Sequence, residues 1–158
     1  MKLTDLLSLS SVTVDLKATT KTEIIDELVD LLIVSGTVDK KHKKKILEFL
    51  MAREALGSTA IGQGIAIPHA KCEFIKELVG CLGISRQGID FESLDGEPVY
   101  IFFLLLAPVD SAGPHLKALA RISRLLKDKF VRESLKSVKD SETLLEIVRR
   151  EDGRLSKI

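Results

Sequence analysis

Apolar residues recur along this chain with different spacings, and each change of spacing marks a change of element. Val12, Val14 and Leu16 alternate with polar residues as a half-buried strand does, after residues 3–8, which have room for one helical turn. Ile24, Ile25, Leu28, Leu31 and Leu32 then repeat at helical intervals, with Thr20 and Glu23 at capping-box spacing ahead of them and Gly36 as the stop. Asp39 can cap a second helix, whose apolar side is Ile46, Leu47, Leu50 and Met51. Its first turns carry Lys40, Lys41, His42, Lys43, Lys44 and Lys45, against the helix dipole, so this cluster is not there for helix stability. A solvated face and a docking patch for an acidic partner both fit it.

Beyond residue 70, Leu78 to Ser85 reads as a strand, and the Gly88 to Gly96 segment as a turn or hairpin connection. Val99 to Leu106 is apolar at every position, which implies a central strand buried on both faces and covered by helices on both. Pro114 suits the first position of a helix with Leu116, Leu119, Ala120, Leu125 and Leu126 on its apolar side, so His115 falls in that helix's first turn. Phe130 to Val138 makes a further short helix. A last one runs from an Asp140 or Ser141 cap through Leu144, Leu145 and Val148, with residues 151–158 frayed. The order of elements predicts an α/β fold, a three-layer sandwich in which a central mixed β-sheet is flanked by helices on both faces.

Composition narrows the function. One domain over residues 1–158 is expected, and 45% hydrophobic residues with only 4% aromatics imply an aliphatic core. Twenty-four basic residues against 23 acidic ones leave nothing that asks for nucleic acid or an anionic membrane. The longest apolar run, Val99 to Ala107, is far short of the roughly 20 residues of a membrane helix, and no compact signal-peptide core precedes it, so a cytoplasmic protein is expected. Cys72 and Cys81 lie at neither a redox nor a zinc spacing and read as reduced thiols.

The candidate chemistry lies in Arg53 to Ala70, R-E-A-L-G-S-T-A-I-G-Q-G-I-A-I-P-H-A, a stretch without helical period. Gly57, Gly62 and Gly64 permit conformations that side chains would block; Ile65 and Ile67 alternate as a strand, and Pro68 ends it. His69 is thereby placed at a strand's C-terminal mouth, where open α/β sheets hold ligands. Taken singly, these residues suit structural roles as well: a loop histidine, an Arg53–Glu54 ion pair, turn or cap hydroxyls at Ser58 and Thr59. Gly62-Gln63-Gly64 lacks the third glycine of a dinucleotide fingerprint, no G-K-[ST] is present, and no G-x-S-x-G elbow supports a serine hydrolase.

Glu54, six residues, Ile61-Gly62, two residues, then Ile65-Ala66-Ile67-Pro68-His69-Ala70 resembles the phosphorylation-site signature of the fructose/mannitol-type enzyme IIA domains of the bacterial phosphotransferase system. Arg53-Glu54 and Gly57-Ser58-Thr59 look most like the nitrogen-regulatory branch, and Pro114-His115-Leu116 is a second anchor, so the similarity spans nearly the whole chain. The resemblance implies the same fold and a phosphohistidine carrier. His69 would accept a phosphoryl group from the histidine of a small phosphocarrier protein, of general or nitrogen type, supported by His115 and Arg53.

Gly57, Ser58, Thr59, Gly62 and Gly64 are the expected phosphoryl-binding residues. Neutral imidazole suits this role as a nucleophile near pH 7. Glu54 would repel a phosphate, so it is expected to orient Arg53 or cap locally. Donor and acceptor are proteins, so no metal, cofactor or nucleotide is required. Nothing in these 158 residues reads as a IIB or IIC segment, which favours a regulator with its own target proteins. A sugar-uptake IIA that passes the group to a IIB cysteine, or a binding module that keeps only the fold, are the alternatives.

Overall fold

The structure, a computed structural model, describes residues 1–156. Six strands form one mixed sheet: β1 (Val12–Thr13), β2 (Ala60–Gly62), β3 (Ile65–Ala66), β4 (His69–Lys71), β5 (Val79–Ile89) and β6 (Val99–Ala107). Their order is β1-β5-β6-β3-β2, with β4 also paired to β6; β1–β5, β3–β6 and β4–β6 are parallel, and β5–β6 and β2–β3 antiparallel. Helices α1 (Lys21–Val34) and α2 (Lys43–Ala55) cover one face, and α3 (Ala112–Lys127), α4 (Lys129–Ser137) and α5 (Ser141–Leu155) the other.

The period of two in β6 makes this sandwich. Ile101, Phe103 and Leu105 enter the core beneath α3–α5, while Phe102, Leu104 and Leu106 enter the one beneath α1 and α2. Both phenylalanines are fully buried. Each large apolar side chain so placed stabilises the fold by about 1.5–3 kcal/mol relative to exposure. The three-layer α/β reading is therefore what forms, with α1 capped by Thr20, whose side chain accepts the Glu23 amide, and α5 capped by Asp140.

Several boundaries differ from the sequence reading. The first strand is only Val12–Thr13. Pro68 does not end the Ile65–Ile67 strand for good. Its missing N–H interrupts the ladder, but its carbonyl accepts the Leu105 amide at 2.9 Å, and the chain continues along the same edge of β6 as β4. β5 extends past Ser85 to Ile89 through a register shift against β6. Helix α3 starts at Ala112 with Ser111 as N-cap, so Pro114 sits third; the first-turn amides have no acceptor within the helix, and proline is tolerated there too.

The inward face of the helix also differs from the sequence reading: His115, Ala118 and Ile122 point inward, whereas Leu116, read as core, is 67% exposed. The end of the chain is not frayed at residue 151. α5 reaches Leu155, with Glu151 and Asp152 buried, because Asp152 accepts the Leu3 amide and two guanidinium bonds from Arg121. Residues 157–158 of that expected tail lie outside the described residues.

Candidate functional site

Two histidines distant in sequence meet at one edge of the sheet. His69 opens β4 opposite Leu105, so its side chain emerges on the face that α3 covers. His115, in the first turn of α3, meets it edge-on, with ring centroids 5.5 Å apart and planes at 75°. Phe49 and Arg53, one turn apart on α2, close the other side. With Ala70 and Lys71 they line a cavity of about 320 Å³. Among the described residues β4 pairs only with β6, so the cavity opens at an edge of the sheet.

The His69 Nδ1 atom lies 2.8 Å from the Ile67 carbonyl oxygen. A carbonyl only accepts, so Nδ1 carries the proton and Nε2 keeps its lone pair. Burial lowers the pKa of His69 below the usual histidine value; the Ile67 carbonyl opposes this, Arg53 adds to it, and Glu54 opposes it. A histidine shifted in this direction is neutral at pH 7.

His115 is 6% exposed, and its pKa is also lowered, first by burial and then by His69 and Lys71. The direction agrees with a helix N-terminus, but the main cause is desolvation. Its Nε2 is buried with no hydrogen-bond partner among the described residues. Such an orphan costs free energy unless something arrives to pair with it.

Arg53 reaches the cavity with its Nη1 donating to the Gly57 carbonyl at 2.7 Å. Glu54 does not hold Arg53. It is 6% exposed, accepts from the Thr59 amide at 3.1 Å and the Thr59 hydroxyl, and pairs with Lys21 Nζ at 2.9 Å. It therefore clamps the loop whose Gly57 carbonyl positions Arg53, in keeping with local capping and not with direct orientation.

The remaining expected donors do not converge on His69. The Thr59 hydroxyl goes to Glu54, and the Ser58 hydroxyl donates to the Phe91 carbonyl at 2.9 Å. Gly62, Gln63 and Gly64, all at positive φ, make the β2–β3 turn. Ile65 pairs with Ile101 and His69 with Leu105, so four strand residues of about 3.3 Å each put this turn roughly 13 Å or more from the histidine. The glycines serve the hairpin; a Cβ on Gly62 would meet the Asp95 carboxylate at 3.2 Å.

Phe49, Lys71 and the Ile67 carbonyl were not anticipated. Phe49 lies four residues before Arg53, and Lys71 two after His69, so helix and strand spacings around the two candidates would have found both. The third histidine, His42, stacks on Phe74 instead, with centroids 4.1 Å apart.

A neutral imidazole, a guanidinium, a lysine and an unpaired histidine ring nitrogen around a small open cavity suit the reception of a phosphoryl group. The family model described as phosphoenolpyruvate-dependent sugar phosphotransferase system, EIIA 2, matches residues 5–151. The chain belongs to this family. Like other members, this IIA chain is a phosphotransferase component that carries a phosphoryl group on histidine, and the family works with phosphocarrier proteins and IIB domains.

A nitrogen regulatory protein of Bradyrhizobium diazoefficiens is 36% identical over 148 residues, 94% of this chain and 95% of the relative. The fructose-specific EIIABC component of Bacillus subtilis is 34% identical over 152 residues, 96% of this chain but 24% of that longer protein. The crystal structure of nitrogen regulatory protein IIA-Ntr from Neisseria meningitidis superimposes with a TM-score of 0.84 at 33% identity, covering 92% of this chain and 98% of that one. No helix among the described residues is long and apolar enough to cross a membrane.

Proposed function

We propose that this IIA chain accepts a phosphoryl group on Nε2 of His69 from the histidine of a small cytoplasmic phosphocarrier protein, and that its role is regulatory, of the nitrogen type. The hydrogen bond from Nδ1 to the Ile67 carbonyl supports this reading, because it leaves the Nε2 lone pair free. The Nε2 lone pair attacks phosphorus while the phosphorus–nitrogen bond to the carrier opens on the far side. The electron pair of the broken bond returns to the carrier's ring. His69 is already neutral and gives up no proton, so no general base is needed; the carrier's ring leaves as neutral imidazole when its other nitrogen carries a proton. Arg53 and Lys71 offset the arriving charge, and His115 Nε2–H gains its missing acceptor.

The regulatory role is supported by the Bradyrhizobium relative, which this chain matches over nearly the full length of both. The Bacillus fructose component favours a second reading, in which the group passes on to a IIB cysteine. One experiment separates them. The protein is incubated with phosphoenolpyruvate, the first phosphotransferase enzyme and either the general or the nitrogen-type carrier, and then with IIB domains. Labelling on Nε2 by the nitrogen-type carrier, with no onward transfer, is expected. Acid-stable label, or label that survives His69→Ala, would overturn the assignment of His69, and rapid transfer to a IIB domain would overturn the regulatory role.

A further inference from the structure

The short 3-10 turn Lys40–His42 and the start of α2 that follows it carry an arrangement that phosphoryl transfer leaves unused. Lys40, Lys41, Lys43 and Lys44 ring a groove of about 590 Å³ with Leu47, Met51 and Glu48. Leu47 and Met51, read from the sequence as core, are only partly buried and form an apolar floor. The first turn of α2 has no acidic residue and no side-chain cap, so the lysines oppose the helix dipole at a cost to stability.

The carboxylates nearby are already engaged. Lys43 pairs with Asp26 and Asp30 of α1, the Asp39 carboxylate caps the Lys41 amide, and Glu48 lies 4.0 Å from Lys45. Glu27 accepts the Lys17 and Ala18 amides, and Glu23 takes the Thr20 hydroxyl. Among the described residues Lys40, Lys41 and Lys44 have no ion-pair partner. These three ammonium groups are thus free to meet the carboxylates of another molecule.

We propose that the groove is a docking site for an acidic amphipathic helix of a protein that this IIA chain regulates. The target's apolar stripe would lie on Leu47 and Met51, with its flanking carboxylates against Lys40, Lys41 and Lys44. A second copy of this chain fits poorly, because the α1 carboxylates it would offer are bound within their own chain. A flat anionic membrane fits poorly too: it would be brought up against Glu23, Asp26, Glu27 and Asp30, which line the neighbouring groove. Leu47 and Met51 lie about 200° around α2 from Phe49 and Arg53, so a helix docked here leaves His69 open to the carrier. Docking of this kind rests on the regulatory role proposed above.

The test uses the full chain and a fluorescent helical peptide with leucines at i, i+3, i+4 and i+7 and glutamates on both flanks. A control peptide has the same leucines with lysines. The glutamate peptide should bind, more weakly as salt rises, and should leave the rate of phosphorylation by the carrier unchanged. Three exposed ion pairs together amount to on the order of tenfold in affinity, so the triple variant Lys40→Glu, Lys41→Glu, Lys44→Glu, which also adds repulsion, should lose at least that much and still accept phosphate normally.

Equal binding of the lysine peptide, no binding of either, binding to phosphatidylserine vesicles in place of the peptide, or salt-sensitive dimerisation that the triple variant abolishes would each overturn the proposal. So would a peptide that blocks phosphorylation. Failure of the wild type to accept phosphate from any carrier would overturn the role of His69 instead, while the peptide measurement would still report on the groove.

Discussion

At the scale of single residues, the two histidines divide one task through their surroundings. His69 is held as the Nδ1–H tautomer by a carbonyl, whereas His115 is buried with its Nε2 lacking a partner. His69→Ala should abolish acceptance. His115→Ala and Arg53→Ala should slow it, each by about 100- to 1,000-fold if the donor lost is one that pairs with the transferring group. Rapid-quench labelling checks this, and full-speed transfer by both support variants would remove them from the site.

Phosphorylation should raise the pKa of His115, since a dianion beside it favours the imidazolium. Titration of its ring protons with and without the phosphoryl group measures the shift. Before phosphorylation both histidines have lowered pKa values, so the unfolded chain binds more protons than the folded one below about pH 6.5. Their contribution to stability is therefore whole above that pH and is lost as the pH falls toward the folded values. Melting temperatures of the wild type should drop between pH 7 and 5 more steeply than those of His69→Gln or His115→Gln.

At the scale of elements, what holds Arg53 in place is a clamp between α1, α2 and the loop that follows α2. Lys21 from α1 pairs with Glu54, Glu54 takes two bonds from Thr59, and the Gly57 carbonyl of the same loop takes the Arg53 guanidinium. Glu54→Ala leaves the Thr59 amide without its acceptor and should cost about 1–3 kcal/mol. It should also slow phosphoryl acceptance although Glu54 touches no phosphate. Chemical denaturation and labelling together test this, and a variant that is destabilised but transfers at full speed would uncouple the clamp from Arg53.

The elements themselves were largely legible. The unbroken apolar run of Val99–Leu106 gave the central strand, and Thr20 with Glu23 gave a helix start. The continuation of the strand beyond Pro68 was not legible, because it depends on β6 offering the Leu105 amide to the Pro68 carbonyl. Nor was the rotation of α3 that buries His115 and exposes Leu116, since leucines lie on both sides of that helix. In the site, His69, His115 and Arg53 stood out through their resemblance to a signature. The hydroxyls of Ser58 and Thr59 looked equally available until the fold gave them other acceptors.

At the scale of the whole molecule, one carboxylate joins regions that are remote in the chain. Asp152 in α5 accepts the Leu3 amide at 2.9 Å, Arg121 Nε at 2.6 Å and Arg121 Nη2 at 3.0 Å. It thus fastens the N-terminal 3-10 turn, Leu3–Asp5, to α3 and α5, beneath which Leu3 is fully buried. His115 is carried by the same α3, so the fastening also bears on how firmly the covering layer sits over β4. Asp152→Asn keeps the size of the side chain but removes its charge and one of its acceptors.

Hydrogen bonds to charged groups contribute about 1.5–3 kcal/mol, and a chain of this length shifts its melting temperature by about 2–4 °C per kcal/mol. A fall of roughly 3–12 °C is therefore expected by calorimetry. Arg121→Gln should fall by a similar amount, and the double variant by less than the sum, because the two side chains share one interaction. A double variant whose losses add in full would show that Asp152 and Arg121 act separately.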